Sequence, residues 1–248
     1  MDRPFERRTA ARTAVVWDAV RALLDGSSEQ RVLDIGGGTG GFAVRLAGLG
    51  HRVTVVDPSP DALAALARRA DEEDVADRIT GLQGDLGNLR ELAPDAADEV
   101  ADLVLCHGVL GLVDDPASAL ATITSVLRPG GALSLLVNQR HAAVLARAMA
   151  GHFVQAREIL EGDPSAKQST KDRGERRFTA EEVAQLLGTA GFTTSSTHGI
   201  RVFADLVPSS LLDLEPGANA ALLDLERAVA DRPEYLTLAS QLHVIATR

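Results

Sequence analysis

The chain has 248 residues, 45% of them hydrophobic and 24% charged, with a formal net charge of −10 and a single cysteine, Cys106. This length and apolar content suffice for one large packed domain and exclude a disordered chain. The acidic balance excludes a general nucleic-acid-binding surface but leaves room for a local basic patch, while one cysteine excludes a disulfide framework or cysteine metal cluster and fits a cytoplasmic protein. No run approaches the ~18 apolar residues of a membrane span, so neither a membrane nor a metal is expected as partner.

Residues Thr9 to Asp25 predict a helix with an apolar face of Val15, Trp17, Val20 and Leu24, preceded by Arg3, Arg7, Arg8 and Arg12. Val32 to Ile35 then form a short apolar strand that runs into Gly36-Gly37-Gly38-Thr39-Gly40-Gly41 and a helix from Phe42 to Gly48. A glycine loop before a helix lets a ligand lie against bare backbone beside unpaired N–H groups. Two frames fit the glycines. Gly36, Gly38 and Gly41 match the dinucleotide pattern G-x-G-x-x-G; Asp34, Gly36, Gly38 and Gly40 make an alternative with an acid on the strand. The β-branched run Arg52 to Val56 ends in Asp57, a carboxylate placed at a strand tip to accept hydrogen bonds from ribose hydroxyls. Pro58 turns the chain, and Ser59-Pro60 reads as a helix N-cap and first position.

Arg78 to Gln83 is a weaker strand followed by Asp85, either a turn residue or a second acidic ligand. Ala101 to His107 reads as a central buried strand, with Cys106 and His107 at its carboxyl end, where open α/β sheets collect ligands. Asp115-Pro116 opens a helix that ends in Leu127-Arg128-Pro129-Gly130-Gly131, a turn expected before a strand from Ala132 to Val137. From Asn138 the α/β rhythm stops: a helical stretch from His141 to Leu160 and a polar loop to Arg177 suggest a lid. The rhythm resumes at the capping box Thr179-x-x-Glu182, with a strand expected from Phe192 to about Phe203, a second excursion over Leu206 to Asp231 and a last strand from Leu238 to Thr247. The expected whole is a single domain over 1–248 with cap insertions at about 139–177 and 206–231.

Asp34-x-Gly36-x-Gly38-x-Gly40, Asp57 and Arg128-Pro129-Gly130-Gly131, in that order, resemble the cofactor motifs of class I S-adenosylmethionine-dependent methyltransferases. The resemblance implies an α/β, Rossmann-like seven-stranded sheet with helices on both faces and a helical or loop cap, using S-adenosyl-L-methionine and releasing S-adenosyl-L-homocysteine. Over nearly the whole chain the sequence further resembles the tRNA 5-carboxymethoxyuridine methyltransferases, which esterify a modified wobble uridine. The similarity rests on Arg12 before Trp17, His107-Gly108-Val109-Leu110, Ser125 to Gly131, His141, Gly151-His152-Phe153, Gly199 to Phe203 and Pro233-Glu234-Tyr235. It implies cofactor contacts from Arg12, Gly36, Gly37, Asp57, Leu86 and His107; Asp34, Gly38, Pro58, Asp85 and Cys106 join them as candidates. The family pattern has Glu-Trp where this chain has Gly111-Leu112, and a denser lysine run over Lys167 to Arg177.

If the acceptor is a carboxylate, no general base is required and an arginine orients it. Arg201, in the family-like Gly-Ile-Arg-Val-Phe segment, is the first choice, with Arg140 as the alternative and Tyr235 as a further acceptor contact. If the acceptor is a hydroxyl or amine, of RNA or of a small molecule, His107 or His141 takes its proton at an unperturbed pKa of about 6.5. A nicotinamide oxidoreductase and a non-catalytic cofactor-binding module are the readings from other classes.

Overall fold

The computed structural model describes the backbone of residues 4–89, 101–162, 176–208, 211–212 and 216–248, and side chains from Thr13 onward within those ranges. Its elements run α1 (Pro4–Leu24), β1 (Arg31–Ile35), α2 (Ala43–Gly48), β2 (Arg52–Asp57), α3 (Pro60–Glu72), β3 (Ile79–Gln83), β4 (Ala101–His107), α4 (Pro116–Val126), β5 (Leu127–Asn138), α5 (Arg140–Met149), α6 (Phe153–Glu161), α7 (Ala180–Thr189), β6 (Thr193–Ile200), α8 (Ala218–Val229), α9 (Pro233–Leu236) and β7 (Gln241–Thr247). The strands form one seven-stranded sheet in the order β3-β2-β1-β4-β5-β7-β6, the Rossmann-like α/β arrangement expected. The pairs β3–β2, β2–β1, β1–β4 and β4–β5 are parallel. Strand order reverses between β1 and β4, so their carboxyl ends frame the crevice where such sheets take ligands.

Local chemistry explains the element starts. Ser59 Oγ accepts the Ala62 N–H and Asp115 Oδ1 accepts those of Ala117 and Ser118, each cap followed by proline at the first helical position. Thr179 and Glu182 close a reciprocal capping box, Thr179 N–H to Glu182 Oε2 at 2.8 Å and Glu182 N–H to Thr179 Oγ1 at 3.2 Å. Val104, Leu105, Leu133 and Leu135 are fully enclosed, as a parallel sheet covered on both sides requires.

Three expected boundaries move. The Leu127 to Gly131 segment is not a turn ahead of β5 but part of it: Leu127 pairs with Ala101, Ala132 with Leu103, and the residues between are looped out at Gly130 (φ 74°). Arg128 holds this irregularity through Asp102 at 2.5 Å, whose other oxygen accepts the Arg31 N–H. The helical stretch from His141 breaks at Gly151 (φ 78°) into α5 and α6. β6 stops at Ile200 because Arg201 turns into the left-handed region at φ 61°.

The chain divides into two compact units: Met1–Leu23 with Val137–Val183 and Ser196–His243, and Leu24–Leu136 with Ala184–Ser195 and Val244–Arg248. Both expected cap stretches fall in the first, and the glycine loop in the second. No helix among the described residues is long and apolar enough to cross a membrane.

Candidate functional site

The glycine loop leaves β1 pinned to its neighbour, with the Gly36 N–H donating to Val56 O at 2.7 Å. Gly36, Gly38 and Gly40 adopt φ of 69°, 56° and 79°, backbone that L-residues rarely adopt, whereas Gly41 does not. Side chains close the same positions. A Cβ at Gly36 would collide with Val109, one at Gly40 with the buried Leu66, and one at Gly37 would lie 2.5 Å from Asp34 Oδ2; at Gly41 nothing stands within 4 Å. The geometry therefore selects the frame with Asp34, Gly36, Gly38 and Gly40. A Cβ at Gly38 would meet no atom closer than Asp57 Oδ2 at 3.9 Å, so bare backbone opens beside that carboxylate.

Asp57 closes β2 and is 8% exposed. Its Oδ2 accepts the Gly38 N–H and its Oδ1 the Ser59 N–H, both at 2.9 Å, which locks the carboxylate to the loop. Each oxygen has a second lone pair, enough for two vicinal hydroxyls. Pro58 beside it is exposed. Asp34 is buried beneath the loop, and burial, with the nearby Asp57 charge, raises its pKa from 3.8 to about 7. Asp85 stands exposed after β3, its Oδ1 accepting the Gly87 N–H in a tight turn, and Leu86 next to it is buried. The loop is thus flanked by one locked acid, Asp57, and one buried acid, Asp34, while Asp85 stands at the end of β3.

Cys106 and His107 end β4, where successive side chains face opposite sides of a strand. The Cys106 thiol is fully enclosed and burial pushes its pKa up to about 12. His107 meets Ser134 Oγ at 2.9 Å through Nε2, and its ring packs edge-on against Phe42 at 4.9 Å between centroids. Burial lowers its pKa to about 4, so the imidazole is neutral near pH 7 and a weak base. This differs from the histidine of ordinary pKa considered from sequence. The expected result is a rate profile with no His107 inflection near pH 6.5; an inflection there that disappears in His107→Asn contradicts it.

The acceptor candidates lie in the other unit. The Arg12 side chain is outside the described residues. Arg140 serves the α7 cap: its Nη2 donates to Glu182 at 2.9 Å and to Arg177 O at 3.2 Å. His141 is exposed in the first turn of α5. Arg201 donates from Nε and Nη2 to the Asp205 carboxylate at 3.1 and 2.5 Å. The next residues, Val202 and Phe203, pack with Val229, Ala239 and Tyr235, the Tyr235 and Phe203 rings meeting at 5.9 Å. One side-chain and two backbone bonds tie these segments together: Gln139 Nε2 donates to Leu236 O, Gln139 N–H to Ser240 O, and Ser240 N–H to Arg201 O.

Sequence reasoning missed Glu226. It is 2% exposed and accepts the N–H groups of Val202, Phe203 and Ala204 at 2.9, 2.8 and 2.8 Å. The signal was available: Leu222, Glu226 and Val229 form one helical stripe, with an acid in an apolar position.

An open glycine cradle, a locked carboxylate with spare lone pairs and a buried acid behind it fit a nucleoside bearing an amino-acid end. Residues 33–135 match the family described as a methyltransferase domain. The chain is 34% identical over 244 residues to the tRNA 5-carboxymethoxyuridine methyltransferase of Escherichia coli K12, covering 96% of this chain and 88% of that protein. It is 31% identical over 172 residues to the ubiquinone biosynthesis O-methyltransferase of Xanthomonas axonopodis pv. citri, covering 68% and 65%. Among solved structures, the [4+2]-cyclase SpnF superposes with TM-score 0.63 at 21% identity, covering 97% of this chain and 82% of that one. An S-adenosylmethionine-dependent methyltransferase from Mesorhizobium loti superposes with TM-score 0.59, also at 21% identity, covering 96% and 100%. At that identity the likeness is one of fold.

Proposed function

The chain belongs to the S-adenosylmethionine-dependent methyltransferases, and from that premise we propose that it transfers the methyl group to a carboxylate on a modified wobble uridine of tRNA. The observation that carries this reading is Arg201, a guanidinium set at the end of β6 on left-handed backbone, in a chain similar along 96% of its length to a tRNA 5-carboxymethoxyuridine methyltransferase. A non-glycine residue at positive φ is strained backbone, and such outliers cluster at functional sites.

In this reading the Gly36–Gly40 loop holds the cofactor, Asp57 accepts its ribose hydroxyls and Asp34 faces its ammonium end, with Gly37, Pro58, Asp85, Leu86, Cys106, His107 and Arg12 as further contacts. Bound there, the cofactor supplies an electrophilic methyl on a sulfonium, which departs as a neutral thioether. The protein's work is alignment, which supplies about 7–11 kcal/mol when reacting atoms are held in line. A carboxylate attacks without losing a proton, so the weakly basic His107 is no handicap. Arg201 grips the acceptor carboxylate, and Tyr235, Arg140 and His141 are secondary acceptor contacts. Such an acceptor places the enzyme in the cytoplasm.

The similarity to a ubiquinone biosynthesis O-methyltransferase, together with the net charge of −10, favours a small-molecule acceptor as the second reading. Incubation with methyl-labelled S-adenosylmethionine and total small RNA separates the two. The expected result is label that ribonuclease destroys and mild alkali releases, as an ester requires. Absence of label from RNA, with cofactor binding confirmed by calorimetry, overturns the tRNA reading. Arg201→Met should lower kcat/KM for the acceptor about 100-fold, from roughly 3 kcal/mol for a truncated charged pair, with cofactor affinity unchanged.

A further inference from the structure

We propose that Glu226 and Asp205 are positioning residues that together aim Arg201 at the acceptor, Glu226 by fixing the turn that carries it and Asp205 by fixing its guanidinium. The inference rests on the reading of Arg201 as the acceptor's partner.

The turn after β6 has two unusual features in sequence. Arg201 sits at φ 61°, and the three following N–H groups all converge on one carboxylate, Oε2 of Glu226 taking Val202 and Oε1 taking Phe203 and Ala204. A carboxylate is almost never enclosed without strong compensation, and Glu226 is 2% exposed. Three hydrogen bonds to backbone donors offset that cost and leave Val202, Phe203 and Ala204 a single arrangement. Val202 is fully enclosed between Val229 and Ala239, and Phe203 meets the Tyr235 ring, so the turn cannot rotate as a body without breaking the core beneath it. Arg201 is thus the outward residue of a turn fixed from inside.

Asp205 fixes the other end. It engages Nε and one N–H of Nη2, so the two edges of the fork are used differently: that edge is held by the protein, while Nη1 and the second N–H of Nη2, with no partner among the described residues, form the bidentate face that matches a second carboxylate. An arginine held in this way has already lost most of the side-chain freedom that binding would otherwise remove. Removing Asp205 restores that freedom in the unbound enzyme and weakens acceptor binding without touching the transfer step.

The experiment uses the full chain, S-adenosylmethionine and tRNA carrying 5-carboxymethoxyuridine at the wobble position. Asp205→Ala should raise KM for the tRNA about 5- to 20-fold with kcat, melting temperature and S-adenosylhomocysteine affinity unchanged, and Asp205→Glu should recover part of the loss. In the Arg201→Met background Asp205→Ala should add nothing, because its effect passes through the arginine. Glu226→Gln should raise KM in the same way while also lowering the melting temperature. If Arg201→Met leaves turnover intact, the reading of Arg201 itself falls. If Arg201→Met lowers turnover as expected while Asp205→Ala leaves KM unchanged, or adds in full to Arg201→Met, positioning is overturned and the Arg201–Asp205 pair is a surface bridge only.

Discussion

Gly40→Ala is expected to destabilise the cofactor-free protein by about 2–5 kcal/mol, and Gly41→Ala, one residue on, to change it by less than about 0.5 kcal/mol. The contrast follows from two independent costs at Gly40. Its φ of 79° is unfavourable for an L-residue by about 1–2 kcal/mol, and its new methyl would collide with Leu66, a buried α3 side chain that must move or deform. Overpacking of that kind adds about 1–3 kcal/mol. Gly41 has ordinary φ and open space, so neither cost arises. For a chain of this size the Gly40 loss corresponds to a melting temperature lower by roughly 5–15 °C. Calorimetric melting of the two variants checks it, and equal behaviour would show that the G-x-G-x-x-G frame, with Gly41 as a structural glycine, is the operative one. Gly38→Ala separates folding from ligand binding at the same loop. Its Cβ meets nothing closer than 3.9 Å, so the main effect should be a loss of S-adenosylhomocysteine affinity beyond what backbone strain at φ 56° imposes.

The sheet and the loop were legible in the sequence because both rest on local chemistry. Asp57 closes the β-branched strand expected, and Ser59 and Asp115 before prolines and Thr179 with Glu182 each form the cap their spacing predicts. What stayed hidden depends on groups far apart in the chain. Which glycine frame operates is decided at Gly40 by Leu66, far from the loop in sequence. The Leu127 to Gly131 segment reads as a turn by composition, yet Asp102 and Ala101 draw it into β5. The ordinary pKa considered for His107 gives way to one near 4 because burial disfavours the charged ring, which spacing along β4 does not reveal. Glu226 lies 24 residues from Val202, its bonded neighbour, so the helical stripe of Leu222, Glu226 and Val229 marks an acid on a buried face but not the turn that it holds.

Asp34 gives the acceptor-independent test of the cofactor site, through the pH dependence of stability. Its folded pKa of about 7 lies above its ordinary value of 3.8, chiefly because the carboxyl is buried and secondarily because Asp57 is charged beside it. Below pH 3.8 the acid is protonated folded or unfolded and contributes no difference. As pH rises from 3.8 towards 7 the unfolded chain ionises while the folded one does not, and stability falls; above 7 the loss reaches about 4 kcal/mol. His107 acts on the other side, since its pKa near 4 costs stability as pH falls from 6.5 towards 4. Asp34→Asn removes the first loss. The variant is expected to melt near the parent at pH 4 and higher than the parent at pH 8, by roughly 5–10 °C once the unmatched amide is allowed for. If Asp34 faces the ammonium end of S-adenosylmethionine, the same variant binds the cofactor more weakly at pH 8, and binding to the parent at pH 6.5 releases protons, visible as a calorimetric enthalpy that changes with the buffer's ionisation heat. Stability gained and affinity lost in one substitution is the pattern of an acid kept buried for its ligand. A variant that gains stability and keeps its affinity would leave Asp34 a strained structural acid and move the ammonium contact elsewhere on the loop.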